Sequence, residues 1–386
     1  MGARSGRRAG APRRAGMDGA VPPPAPAAPD GPAGPAAAAD HDGPVTLQDV
    51  ARAAGVHYST VSRALDPAQA RRVGGTTRLH VEAVAREMGY RRHLGASGLK
   101  RGRTHTVGVI VADLGNPFIA PVLRGIANRL EESGLMPLTT ETQDDPARLA
   151  RVLNHVVERR VDAVIVSAAR LGNAPILLDI ARRRIPLLLA DRNVPQTGLP
   201  SCTHDNDAGG TLAARHLLDL GHRHLAQLRG PQDVSSFVDR GAAFSRTVTA
   251  AGAVELDLGD AARTPSLREG QRLARLLLAR GRDRPTAVFA QNDLIALGAL
   301  EVFADSGLRC PADISVVGYD DLPQVDRVTP PLTTVRLHGE ELGRLVGEMT
   351  VAAIASPDRP PPSLTLPPRL MVRASTAPPR VPQEPT

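Results

Sequence analysis

From Thr106 onward the chain alternates short, almost wholly apolar runs with longer amphipathic segments, and this alternation leaves few folds open to it. The runs 106–112 (TVGVIVA), 135–140, 162–167 (DAVIVS), 185–190 (IPLLLA), 224–228 (HLAQL), 286–290 (TAVFA) and 313–318 (DISVVG) have the length and boundaries of strands. Helical segments are expected near 118–133, 146–159, 174–183, 207–220, 236–251, 266–280 and 293–306. Strands that are apolar along their whole length are covered on both faces, and β-α units of this size join parallel strands through right-handed crossovers. About fourteen elements exceed one compact sheet, so the spacing predicts an α/β core of two similar parallel-sheet lobes.

Ligands of such folds sit beyond the carboxyl ends of the strands. Polar residues gather there: Asp113, Asn116 and Phe118 after the first run, Asp191 and Arg192 after the fourth, Asn292 and Asp293 after VFA, Tyr319, Asp320 and Asp321 after SVVG. Singly, each could be a helix cap or turn residue. Together they predict a cleft rich in hydrogen-bonding groups and poor in aromatic stacking, suited to a small polyhydroxylated or otherwise polar ligand.

Residues 45–65, VTLQDVARAAGVHYSTVSRAL, read as two short helices joined at Gly55. Thr46 can cap the first with Asp49 at its third position, and Val45 and Val50 stand where a hydrophobic staple would pack. Leu47, Ala51 and Ala54 face inward on the first helix and Val56, Val61 and Leu65 on the second, which leaves Tyr58, Ser59, Ser62 and Arg63 outward with no carboxylate among them. A third helix, about Thr76 to Met88, would close a small core with Leu79, Val81, Val84 and Met88; Gly74 and Gly75 offer it only a weak start. An outward face without acid suits a DNA major groove, whereas an alanine-rich helical hairpin also occurs in bundles that never meet nucleic acid. Charge favours the first reading. Residues 1–105 hold sixteen Lys or Arg against eight Asp or Glu, while the remaining 281 residues sum to −1.

Residues 91–104, RRHLGASGLKRGRT, are basic and interrupted by glycine, so a free-standing helix there is unfavourable and should form only when something stabilises it. Residues 1–43 are nearly all Ala, Pro, Gly, Arg and Asp and are expected to be a disordered tail without a role. No eighteen-residue apolar run and no signal-peptide pattern is present, and Cys202 and Cys310 form no metal or disulfide spacing, so the expectation is a cytoplasmic, nucleoid-associated protein without cofactor or metal. A solute-binding protein for transport would need a leader that the sequence does not offer. An enzyme could use Asp320 with Asp321 or Asp293, but no nucleophile or acid–base pair accompanies them. His222 and His224 make an H-x-H without further ligands, which reads as ordinary packing histidine.

Over residues 45 to about 375 the chain resembles the lactose-repressor (LacI/GalR) family of bacterial transcriptional regulators. The motifs are VTLQDVARAAGV with STVSRAL, REMGYR, DLGNPF, LRGIANRLEESG, RRVDAVIVS, LLDLGHRHLA, RPTAVFAQNDLIALGAL, ISVVGYDD and TPPLTTVR, all in order. The resemblance implies a small all-α helix-turn-helix headpiece (44–90), a hinge (91–105) and a periplasmic-binding-protein-like core (106–375). Lobe 1 would comprise about 106–202 and 338–360, lobe 2 about 203–337 and 361–375, followed by a disordered tail at 376–386. It implies a homodimer on a palindromic operator in double-stranded DNA, most simply a repressor, controlled by a sugar or sugar derivative bound between the lobes. Tyr58, Ser59 and Arg63 would read bases, His57, Thr60 and Ser62 would approach phosphates with Thr46 at the same surface, and Leu99 would wedge into the minor groove. Asn116, Phe118, Arg192, Asp205, Arg240, Asn292 and Asp320 would bind the effector. Departures from the family pattern include His57 where a serine cap is usual, Arg92, His93, Ser97 and the glycines at 95 and 98 in the hinge, and Ala243 for glycine after Arg240.

Overall fold

The computed structural model describes residues 45–66, 69–90 and 103–380, which form an N-terminal unit and a core. The N-terminal unit holds α1 (Leu47–Ala53), α2 (Tyr58–Ala64) and α3 (Gly75–Glu87). Thr46 and Asp49 form a reciprocal capping box: Thr46 Oγ1 accepts from Asp49 N at 3.3 Å, and Asp49 Oδ2 accepts from Thr46 N at 2.9 Å. Thr46→Ala is therefore expected to loosen α1 by about 1 kcal/mol, measurable as faster amide hydrogen exchange at Val50 and Ala51 in the full-length protein. Gly55 makes the turn with φ +62. Val50, Ala51, Ala54, Val61, Ala64, Val81 and Ala85 form the buried core.

The sequence reading of α3 needs one correction. Leu79 is 62% exposed, and Ala85 takes the inward place expected of it. Position 79 lies two residues, about 200° around the helix, from Val81, whereas 81, 85 and 88 share one stripe. Gly74 caps α3 without a side-chain hydrogen bond.

In the core, β1 (Thr106–Val111), β2 (Met136–Glu141), β3 (Ala163–Val166), β4 (Leu187–Ala190), β5 (Ser201–His204) and β11 (Leu364–Leu366) make one parallel sheet in the order β11-β5-β4-β3-β1-β2. A second sheet, ordered β12-β10-β9-β8-β6-β7, comprises β6 (His224–Leu228), β7 (Val254–Leu256), β8 (Ala287–Ala290), β9 (Ser315–Asp320), β10 (Thr333–Arg336) and an antiparallel β12 (Arg369–Met371). Helices α4 (Ile119–Glu131), α5 (Pro146–Glu158), α6 (Ala174–Arg182) and α11 (Gly339–Ala355) cover the first sheet. The second is flanked by α7 (Asn206–Asp219), α8 (Ser235–Ala250), α9 (Leu267–Leu278) and α10 (Asp293–Asp305). β1 shows why its run is apolar throughout: Val107, Val109 and Val111 belong to the cluster with α4 and α11, Ile110 and Ala112 to the cluster with α5 and α6.

The expected strand runs and helices are present, and the structure adds β5, β7, β10, β11, β12 and α11. The added strands are three or four residues long and several are polar (SCTH, TTVR), so no apolar run marks them. α11 carries Gly339, Gly343 and Gly347, which argue against a helix locally. Its glycines face α4, where side chains at 125 and 343 would strike the opposing backbone, so backbone contact between the helices replaces side-chain packing. The lobe boundaries shift accordingly. Thr203 and His204 complete β5 and residues 364–366 form β11, all in lobe 1 rather than lobe 2. The chain crosses between lobes at Asp205, between β10 and α11, and between β11 and β12. Residues 103–105 belong to the core rather than the hinge: Arg103 Nη2 donates to Ile354 O at 3.0 Å, and Thr104 N and His105 N each donate to Asp162 at 2.8 Å. Residues 376–380 are likewise bound into lobe 2 instead of trailing as a tail, with Ala377 N donating to Ser315 Oγ at 3.1 Å and Arg380 pairing with Asp313 at 3.0 Å. Leu99, the rest of the expected hinge, the 1–43 tail and residues 381–386 lie outside the described residues. Among the described residues no helix is long and apolar enough to cross a membrane.

Candidate functional site

In the N-terminal unit the candidate surface is the outer side of α2. Burying Val61 and Ala64 turns Tyr58 (40% exposed) and Arg63 outward, with Ser59, Thr60 and Ser62 half-buried between them. His57 replaces the usual short cap yet still caps: its Nδ1 accepts from Ser59 N at 3.2 Å and lies 2.9 Å from Ser59 Oγ. Part of Ser59's hydrogen-bonding capacity is thereby committed to the helix start. The α2 segment contains hydroxyls, a phenol and a guanidinium but no carboxylate, an arrangement able to meet phosphates and base edges.

In the core, the carboxyl ends of the lobe 1 strands enclose a cavity of about 110 Å³ whose walls include Asp113, Asn116, Phe118, Gln143, Asp144, Ser167, Asp191 and Arg192, with Thr264, Pro265 and Ser266 contributed by lobe 2. Three of the seven sequence-predicted ligand residues, Asn116, Phe118 and Arg192, meet here. Asn116 Oδ1 accepts from Phe118 N at 3.1 Å, and the Phe118 ring packs edge-on against buried His204, 6.1 Å between centroids. Arg192 is held by Asp144, Nη1 to Oδ1 at 2.9 Å, and Arg170 approaches the same carboxylate at 3.2 Å. Burial pushes the Asp144 carboxyl up, but Arg192 and then Arg170 outweigh it and hold it below its ordinary value.

Arg170 also ties the lobes together. Its Nη1 reaches both oxygens of Asp233 in lobe 2 at 2.6 and 2.8 Å, and Leu171 N donates to Asp233 O at 2.8 Å. Beside it, Ser235 Oγ accepts from Asn193 N at 3.1 Å and donates to Asn193 O at 2.9 Å. The cavity is thus closed by polar clasps that a bound molecule could rearrange.

Arg240, Asn292 and Asp320 do not line this cavity; they form a buried network in lobe 2. Arg240 donates to Asn206 Oδ1 (2.7 Å from Nη2), to Ser236 O (3.0 Å) and to Gln291 O (2.7 Å), stacks on the Tyr319 ring at 3.7 Å, and lies 3.9 Å from Asp320. Asn292 Nδ2 donates to Asp320 Oδ2 at 2.5 Å. Burial pushes the Asp320 carboxyl well above its ordinary value against the pull of Arg240, and Asp191 on the lobe 1 side adds to the rise. Gly241, next to Arg240, leaves room for the Gln291 amide, which donates to Gln227 Oε1 at 2.8 Å. Asp205 sits apart, capping α7 through Ala208 N at 2.8 Å.

Backbone strain concentrates at the same strand ends. Gln143, Asp144, Asp191, Asp320 and Asp321 all have φ between +53 and +115. Non-glycine residues hold such angles at a cost of about 1–3 kcal/mol each; Gln143, Asp144 and Asp191 lie on the cavity wall, whereas Asp320 and Asp321 are held by contacts within lobe 2. Sequence reasoning missed Asp144, Ser167, Arg170, Asn206, Asp233 and Gln291. The signal for the first three was available, since they follow β2 and β3 as Asp191 follows β4; Asn206 and Asp233 become visible only once β5 and the interlobe clasp are known.

The enzymatic alternatives lose their groups to structure. Asp293 is fully buried, accepting from Leu322 N at 2.8 Å and Thr334 Oγ1 at 2.6 Å, and burial pushes it up to about 7. Asp321 is paired with Arg336 and Arg373 at 2.6 and 2.7 Å. His222 uses both ring nitrogens, toward Thr286 Oγ1 at 2.8 Å and Ala377 O at 2.9 Å.

Residues 46–93 match the family model of bacterial regulatory proteins of the lacI family, and 214–376 match the periplasmic binding protein-like domain. The HTH-type transcriptional regulator DegA of Bacillus subtilis (strain 168) is 31% identical over 336 residues, 86% of this chain and 98% of that protein. The chain belongs to the LacI family. Another LacI-family relative, the ribose operon repressor of Escherichia coli (strain K12), is 31% identical over 331 residues, covering 86% of this chain and 99% of that one. The crystal structure of the Lac repressor dimer bound to operator and the anti-inducer ONPF superposes with a TM-score of 0.76 at 29% identity, over 87% of this chain and 100% of that chain. This LacI-family chain is a transcriptional regulator with a DNA-binding headpiece and a two-lobe core, and its relatives are regulators rather than enzymes.

Proposed function

We propose that the protein is a repressor that binds a palindromic operator as a homodimer and is controlled by a small polar effector, a sugar or sugar derivative, bound between its core lobes. The observation that carries the DNA half is the acid-free outer face of α2, capped at His57 and backed by Val61 and Ala64. Tyr58, Ser59 and Arg63 then read base edges in the major groove, while His57, Thr60 and Ser62 approach phosphates and the segment around Leu99 enters the minor groove. The interlobe cavity and the strained strand ends around it support the effector half. Asn116, Phe118 and Arg192 would bind directly, Arg240, Asn292 and Asp320 would join as the lobes adjust, and Asp205 would act through the start of α7. Cytoplasmic, nucleoid-bound residence without turnover follows from this reading. The names of the ribose operon repressor and of the cellobiose complex of the regulator CelR point the same way.

Electrophoretic mobility shift with the promoter beside the protein's own gene tests the proposal: a discrete complex that weakens steeply with salt is expected, and no complex at any salt concentration defeats it. Arg63→Ala should weaken that complex by about 1–3 kcal/mol and relax sequence preference at one position of each half-site. Loss of affinity without loss of selectivity would move Arg63 to the phosphate-contacting set.

A further inference from the structure

The charge around the cavity is lopsided. Of the charged side chains lining it, Asp113, Asp144 and Asp191 are acids and Arg192 is the one base. Arg192 is already committed to Asp144, which it shares with Arg170, and Arg170 also pairs with Asp233, so these four charges balance among themselves. Asp113 Oδ1 accepts from Gly115 N at 2.7 Å, and Asp191 lies 3.9 Å from His204 Nδ1; among the described residues neither is paired with a lysine or arginine. Two carboxylates thus line the space without a fixed countercharge, Asp191 half-buried and Asp113 exposed at its edge.

A second, independent feature marks the space as a ligand site. Ser167 lines it, is 2% exposed, and its hydroxyl has no hydrogen-bond partner. Buried polar groups are rarely left unmet, so this hydroxyl calls for a partner inside the cavity. Carboxylates that want donors and a hydroxyl that can give or take match the hydroxyls of a polyol. An anionic group fits badly: a phosphate about 5 Å from an unneutralised, partly buried carboxylate would lose on the order of a hundredfold in affinity.

Resting on the effector reading above, we propose that the cleft takes a molecule bearing hydroxyls and no anionic group, and that it rejects phosphate esters, sugar acids and nucleotides. The test is calorimetry and thermal shift on the full chain with D-ribose, D-xylose, D-glucose, D-galactose, D-fructose and D-glucosamine. Ribose 5-phosphate, glucose 6-phosphate, galacturonate and AMP form the second set. The expected result is binding within the first set, with the matching phosphate ester at least about a hundredfold weaker. Tighter binding anywhere in the second set, or none in the first, overturns the proposal. The operator shift, run on the same preparation, is read independently: DNA binding without a monosaccharide hit removes the effector class and leaves the regulator standing. Asp191→Asn supplies the charge control. Asparagine tolerates the φ of +65 at this position, and the variant should narrow the sugar-to-phosphate discrimination by about tenfold or more. An unchanged ratio would show that charge does not set the selectivity.

Discussion

Replacing Arg240 with alanine is expected to destabilise the core by about 3–5 kcal/mol, because it removes one partner of a buried charged network and leaves the others unmatched. The guanidinium is only 3% exposed and satisfies Asn206 Oδ1 and the carbonyls of Ser236 and Gln291 while covering the Tyr319 ring. Without it Asp320 keeps its hydrogen bond from Asn292 but loses the positive charge that opposes its desolvation, so its carboxyl should rise further. Urea unfolding gives the stability change as a shift in midpoint at constant slope. Arg240→Lys separates charge from shape: an ammonium can oppose Asp320 but cannot hold three acceptors in a plane, so its loss should fall between wild type and alanine. If the lysine and alanine variants are equally destabilised, the planar fork rather than the charge is what the network uses.

How much of this could be read beforehand differs between fold and site. The seven apolar runs carry the two-sheet architecture because strands covered on both faces must be apolar throughout, as β1 shows with its alternate residues in two different clusters. The short strands β5, β11 and β12 escape because their pairing is supplied by neighbours distant in sequence, as when Leu364 pairs with Cys202. This in turn misplaced the lobe boundary and hid Asn206. At the site, the strand-end rule found Arg192 and Asp320 but could not say that they occupy different surroundings, one on a cavity wall and the other inside a hydrogen-bonded network. Arg240 sits mid-helix with nothing local to mark it, and only the family resemblance singled it out. Its partners emerge from long-range geometry: Asn206 and Gln291 reach it across 34 and 51 residues.

The acid limb of the protein's stability should depend on Asp144 more than on its many exposed ion pairs. Its carboxyl lies between Arg170 and Arg192 with only 5% of the side chain exposed. The group is held below its ordinary value of 3.8 in the folded state. A depressed carboxyl contributes stability that is present above the unfolded value and is lost as pH falls through the folded one. Wild-type unfolding free energy should therefore drop steeply below about pH 4. Asp144→Asn keeps the shape and accommodates the φ of +53, but leaves Arg192 without its countercharge and Arg170 with only half-exposed Asp233. The expected loss is about 3 kcal/mol at neutral pH, with a flatter acid limb because the titrating group is gone. The same substitution changes the cavity. It frees the Arg192 guanidinium to face Asp191 and any bound molecule, so the asparagine variant should admit sugar phosphates that the native cleft refuses. A variant that loses stability yet keeps the native discrimination would mean that Arg192 is held away from the ligand by its backbone setting, and that Asp113 and Asp191 alone impose the rejection of anions.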